Sequence, residues 1–139
     1  MPTLTRLFIK TALVYFMAAL LLSVVGAAGS ALSLPTVTAY LGPTSVHLFT
    51  VGWITQMIFG VAYWMFPRHS RERPRGSAVA IAATYILLNA GILLRTPAEP
   101  FHARAPGSFT GSLLIAAGAL QLAAGLTFVG AIWGRVKAK

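Results

Sequence analysis

The stretch His47–Arg75, HLFTVGWITQMIFGVAYWMFPRHSRERPR, carries the strongest structural signal in the chain. It starts at a histidine, continues for about 20 residues without a charge, and breaks at Pro67 into a segment that contains four arginines. Roughly 20 helical residues cross a hydrocarbon core about 30 Å thick. The stretch therefore predicts a transmembrane helix with a histidine at one end and a basic anchor at the other.

The amino-acid composition is that of a membrane protein along the whole chain. Apolar residues make up 57% of the 139 positions and charged residues 9%, whereas soluble domains carry about 25% charged residues. The net charge of +9 comes from short basic caps beside apolar runs, so nucleic acid is not an expected partner. The absence of cysteine excludes disulfides and thiolate metal sites, and two acidic residues argue against paired-carboxylate catalysis.

Three further apolar runs complete the predicted architecture. The first has a basic start and a small-residue end, as signal peptides do, but it is long enough to span, and we expect it to be retained as a helix. A predicted loop at 96–107 holds three prolines together with Glu99, His102 and Arg104. The predicted helices, numbered in chain order, span about residues 8–31, 44–66, 77–94 and 109–133.

The distribution of lysine and arginine predicts how these helices are oriented. With the N-terminus inside, nine of the 11 basic residues lie on the cytoplasmic side, and only Arg95 and Arg104 lie outside. His47 then lies near the outer surface. The sequence predicts an all-α integral membrane protein, an up-down bundle of four transmembrane helices with both termini cytoplasmic, in a bacterial cytoplasmic membrane.

Predicted helix 2 has two different faces when its residues are placed at 100° intervals. One face has small residues that allow close backbone approach, and a glutamine that can form hydrogen bonds between helices. The opposite face is an apolar wall topped by an imidazole. The first face consists of Gly52, Gln56, Gly60 and Tyr63, and the second of His47, Val51, Ile54, Ile58 and Val61.

Glycines and amides in the later helices indicate how the bundle packs. Gly111, Gly118 and Gly125 recur every seven residues in predicted helix 4, a spacing that favours a left-handed helix pair. Side-chain amides near the middle of the membrane either join helices by hydrogen bonds or line a site for a polar ligand or proton relay. These amides belong to Gln56, Asn89 and Gln121.

Two histidines are candidate ligands for iron. Neutral imidazole is a strong iron ligand, and haem needs an apolar slot on both faces of its ring. His47 at the top of the Val51, Ile54 and Ile58 wall meets both needs; the alternative is an interfacial histidine wetted by headgroups and water. His102 is a weaker candidate, whose alternative is an exposed loop histidine.

The pattern H-x4-G-W-x6-G-x2-Y-x3-P-R resembles helix II of haem–copper oxidase subunit I. It is formed by His47, Gly52, Trp53, Gly60, Tyr63, Pro67 and Arg68. The resemblance is closest to the branch of C-type oxidases and nitric oxide reductases, and to small four-helix proteins similar to subunit I. The segment RLFIKTALVYFMAALLL resembles helix I of the same branch, so the resemblance covers about residues 6–75.

This resemblance implies that His47 is an axial ligand of a low-spin haem b, with Val51, Ile54 and Ile58 against the porphyrin and His102 as a weak second candidate. The family's subunit has twelve helices and takes its other ligands from later ones, so catalysis by this chain alone is not expected. Because that subunit has approximate threefold symmetry, a homotrimer of four-helix chains is the expected assembly, or else association with subunits of a respiratory complex.

The sequence therefore predicts a small membrane haem b protein in electron transfer or in haem or gas binding. The alternative is a non-catalytic accessory or scaffold protein that keeps the helix packing without the cofactor. Small-molecule transport is a weaker third hypothesis, because no predicted helix carries a membrane-embedded carboxylate.

Overall fold

The computed structural model describes residues 1–32, 40–66 and 76–136. These residues form four long helices: α1 (Thr3–Ala31), α2 (Leu41–Met65), α3 (Ala78–Arg104) and α4 (Ser108–Trp133). Each is long and apolar enough to cross a membrane, so the prediction of an all-helical chain with four candidate spans is confirmed. Pro67, Arg68, His69 and the rest of the predicted arginine loop lie outside the described residues, as do Lys137 and Lys139.

Glycines of α2 allow it to pack closely against α1 in a first helical hairpin. A β-carbon added at Gly52 would lie 2.9 Å from Cβ of Tyr15, and one added at Gly60 would lie 2.8 Å from Cβ of Phe8. Real side chains do not approach this closely, so only glycine permits these contacts. Gln56, on the same face, is fully buried. The predicted packing face of helix 2 is confirmed.

A glycine of α3 has the same role in the second hairpin, formed by α3 and α4. A β-carbon at Gly91 would lie 2.8 Å from Cγ of Gln121 and 2.9 Å from the carbonyl oxygen of Ala117. Gly118 and Gly125, by contrast, have no described atom beyond their own stretch of α4 within 4 Å of such a carbon. The expectation that the seven-residue glycine series packs against a helix is therefore wrong for these two positions within this chain, because the close approach uses the α3 glycine instead.

Helix α3 continues about ten residues beyond its predicted end. The predicted loop at 96–107 is helical as far as Arg104, and both Pro97 and Pro100 lie inside the helix. Proline removes a backbone hydrogen bond, but two interactions stabilise this part of the helix. Arg95 and Glu99 form an ion pair one turn apart at 3.1 Å, and the carboxylate of Glu99 is also bound by α2, as described below.

The two hairpins dock through apolar side chains and ring contacts. Two buried clusters lie between them, one around Tyr15, Leu48 and Ile92, the other around Phe8 and Phe128. The rings of Phe59 on α2 and Phe128 on α4 stack with their centroids 3.8 Å apart, and Phe8 meets Tyr85 edge to face at 5.1 Å.

The outer surface of the bundle is strongly apolar. Val79 is 80% exposed, Ile115 is 76% exposed and Val14 is 65% exposed. Monomeric soluble proteins rarely show contiguous apolar patches of more than a few hundred Å². Large apolar side chains are exposed on all four helices, which is the arrangement expected where lipid tails surround a bundle.

Candidate functional site

The imidazole of His47 lies towards the end of the bundle opposite the start of α1 and the end of α4. This end of the bundle consists of the start of α2, the end of α3 and the start of α4. Nε2 of His47 lies 3.1 Å from Oε1 of Gln121 on α4. With its hydrogen on Nε2, the half-buried ring donates this bond and joins the first hairpin to the second.

A π-helical segment follows His47 directly and changes which way the ring faces. Residues Leu48–Thr55 form the segment, with α-helix on either side. Each π turn closes an i→i+5 hydrogen bond and so contains one residue more than an α turn. Residues before and after the π-helical segment therefore point in directions that differ from those in an ideal α-helix. The ring of His47 therefore faces Gln121, whereas Ile54 and Ile58 are 39% and 56% exposed.

The predicted apolar wall is divided between two environments. Val51 packs against the buried cluster around Tyr15 and Leu48, whereas Ile54 and Ile58 face outward. Three grooves on the bundle are lined by described residues, and His47 is not among the residues that line these three. Of the four residues expected at a porphyrin, His47 and Val51 thus contact other helices, whereas Ile54 and Ile58 lie on the surface.

A partly buried ion pair on α3 contacts the start of α2, one turn before the histidine. Glu99 accepts a hydrogen bond from Thr44 Oγ1 at 3.1 Å through Oε2, and from Arg95 Nη2 at 3.1 Å through Oε1. Glu99 was expected in a loop, but it lies on the part of α3 that continues beyond the predicted end of the helix.

His102 is likewise on α3 and makes its own contact. Its Nδ1 lies 2.7 Å from Oγ1 of Thr110 on α4, so the ring closes the tip of the second hairpin. Thr110 in turn donates to the carbonyl oxygen of Gly107. The expectation of a loop histidine is wrong, since the helix extends past this residue. Among the described residues, no group of three or more His, Cys, Asp or Glu side chains is placed to hold a metal ion.

The geometry around His47 does not fit a haem group. An axial ligand presents an open ring nitrogen to the iron, and the porphyrin needs an apolar slot beside it. Here Nε2 is engaged by Gln121, and Ile54 and Ile58 lie on the outward face of α2. Haem binding at His47 would require Gln121 to release the ring and the wall to turn towards it.

The amides and tyrosines within the bundle join helices. Tyr15 donates to Oδ1 of Asn89 at 2.9 Å, and Thr11 Oγ1 lies 2.7 Å from the hydroxyl of Tyr85. Together with the bond between His47 and Gln121, these pairs connect the two hairpins, and in all three the partners are 74 residues apart. Thr11 and Tyr15 lie one turn apart on α1, as do their partners on α3, so these two bonds align α1 with α3 in a way that composition and periodicity cannot reveal.

Arg135 is a buried arginine with specific hydrogen bonds that the sequence analysis did not single out. Counted there only as a cytoplasmic charge, it is 1% exposed. Its Nη2 donates to the carbonyl oxygens of Tyr63 at 3.1 Å and Phe66 at 2.7 Å, and its guanidinium carbon lies 5.7 Å from the centre of the Tyr63 ring. The guanidinium thus caps the C-terminus of α2, where a cation is favoured by the helix dipole.

No protein-family model matches the chain, and no curated protein or solved structure matches it either. The resemblance to haem–copper oxidase subunit I accordingly stays a prediction from the residues quoted above.

Proposed function

We propose that this chain is a multi-pass protein of a bacterial cytoplasmic membrane with both termini in the cytoplasm. Its four candidate spans and its exposed apolar side chains support insertion. Nine basic residues against two support the orientation. A fluorescent protein fused after Lys139 should therefore fluoresce, whereas alkaline phosphatase fused there should stay inactive; the reverse result would refute the orientation.

Within that membrane, we propose that the protein acts as a non-catalytic accessory or scaffold subunit. The observation that carries this proposal is the bond between His47 Nε2 and Gln121 Oε1. The imidazole of His47 joins the two hairpins by a hydrogen bond. The pairs Thr11–Tyr85 and Tyr15–Asn89 join them in the same way.

A haem b protein with His47 as axial ligand, in electron transfer or in haem or gas binding, is the second candidate. One structural observation favours it, namely the π-helical segment that begins directly after His47, because π insertions in helices are frequent at functional sites. Against it stands the engagement of the ring by Gln121.

We propose other membrane subunits as the partners of this scaffold. These are either further copies of the chain, with a homotrimer suggested by the family analogy, or subunits of a respiratory complex. Native mass spectrometry of the detergent-solubilised protein separates these cases, because a homotrimer has three times the chain mass and a complex contains other chains. A monomer without bound subunits would refute both.

An absorption spectrum of the protein purified from its native host distinguishes the two functions. The scaffold proposal predicts no stoichiometric Soret band despite an adequate haem supply, and a folded His47→Ala variant with an unchanged spectrum. A Soret band in the wild type that disappears in His47→Ala would contradict the scaffold proposal and establish haem. A band that disappears only in His102→Ala would assign the iron to that residue instead.

A further inference from the structure

The tip of the second hairpin carries an apolar groove that the proposed scaffold function does not use. The groove has a volume of about 380 Å³ and lies between the end of α3 and the start of α4. Leu94, Pro97 and Phe101 line it from α3, and Phe109 and Leu113 line it from α4. Phe101 and Phe109 are 63% and 73% exposed at its mouth.

The length of α3 places this groove across the edge of the hydrocarbon core. A helix rises 1.5 Å per residue and the core is about 30 Å thick. If α3 enters the core near Ala78, it leaves about 20 residues later, close to Ala98. Leu94 and Leu113 then lie in the acyl region, whereas Ala105 and Phe109 lie at headgroup depth.

A cation lies beside the outer end of the groove. Arg104 immediately precedes the lining residue Ala105 and is three residues from Phe101, so it lies at the rim on the helical wheel. Its side chain is exposed, and among the described residues it forms no ion pair. None of the lining residues is acidic, and Glu99 is already bound by Arg95 and Thr44.

We propose that this groove is a specific binding site for a phospholipid with an anionic headgroup. One acyl chain would lie in the apolar channel down to Leu94 and Leu113, and the phosphate would pair with the guanidinium of Arg104. Basic side chains near the membrane surface attract anionic lipid, and the groove adds apolar contact along one chain. The proposal rests on the membrane insertion proposed above, but not on the scaffold role.

The test compares lipid retention by native mass spectrometry. The purified protein is offered equal amounts of phosphatidylglycerol and phosphatidylcholine with the same acyl chains. The wild type should retain phosphatidylglycerol preferentially. Ala105→Trp should fill the groove and abolish this retention, whereas the matched Ala103→Trp, which is exposed but does not line the groove, should leave it unchanged.

Removing the cation tests the headgroup separately. Arg104→Gln should lower the preference for phosphatidylglycerol about fivefold, since one basic residue near the surface contributes about that factor. Equal retention of both lipids by the wild type would overturn the proposal, as would retention that Ala105→Trp leaves intact. A protein dimer that Ala105→Trp dissociates would assign the groove to a second copy of the chain and likewise overturn it.

A carbonate wash of the membranes separates failure of the site from failure of insertion. An inserted chain stays in the pellet, and loss of lipid binding then concerns the groove alone. A chain released into the aqueous fraction would overturn both the insertion and the lipid site.

Discussion

Replacing Gly60 with leucine should lower the free energy of unfolding of this protein by about 3 kcal/mol, the upper end of the usual cost of overpacking. Even a β-carbon at Gly60 would lie 2.8 Å from Cβ of Phe8. That atom is fixed to the α1 backbone and cannot move aside as the end of a long side chain would. A leucine must therefore separate α1 from α2, and the Phe8 cluster between the hairpins would lose its packing.

Gly118→Leu is the matched control for this prediction. A β-carbon at Gly118 has none of the described atoms outside its own stretch of α4 within 4 Å. Leucine there should therefore be neutral or slightly stabilising, because leucine is a better helix former than glycine. Unfolding in mixed detergent micelles measures both variants. Equal stability of the two variants would show that the close approach of α1 and α2 at Gly60 is absent.

The second large effect is expected from Arg135→Met, which should destabilise the protein by about 2–3 kcal/mol. The substitution keeps an apolar stem but removes the guanidinium that donates to the carbonyl oxygens of Tyr63 and Phe66. Hydrogen bonds from charged donors contribute about 1.5–3 kcal/mol. The last turn of α2 would then lose its cap and the charge that complements its dipole.

Arg6→Met is the control for Arg135, because Arg6 carries the same charge at the same end of the bundle but is exposed. Its loss should change stability by less than about 0.5 kcal/mol. The same micelle unfolding experiment compares the two. If both variants lost stability equally, Arg135 would contribute only to the net charge of this end, and its role as a cap would be refuted.

The number and approximate position of the helices were predictable because charge-free runs of spanning length are a strong and local signal. The close packing of Gly52 and Gly60 was also predictable, since it depends on one face of one helix. The end of α3 was not. Pro97 and Pro100 indicated a loop, yet both lie inside the continuing helix, where Glu99 binds Arg95 and, on α2, Thr44.

The candidate site was only partly predictable from the sequence. His47 and Gln121 were both singled out, but their pairing depends on how two hairpins dock and has no local signature. Val51 packs inside the bundle whereas Ile54 and Ile58 are exposed, and this difference depends on the π-helical segment. An ideal spacing of 100° per residue does not include such a segment. Buried Arg135 looks, in sequence, like any other basic residue of a cytoplasmic end.

The central claim is that His47 joins the two hairpins through Gln121, and a double-mutant cycle tests it most directly. The free energy of unfolding is measured in micelles for the wild type, His47→Ala, Gln121→Ala and the double variant. Hydrogen bonds between membrane helices contribute about 0.6 kcal/mol on average and up to about 1.7 kcal/mol, so a favourable coupling in this range is predicted. A coupling of zero, with the two single effects simply additive, would contradict the account.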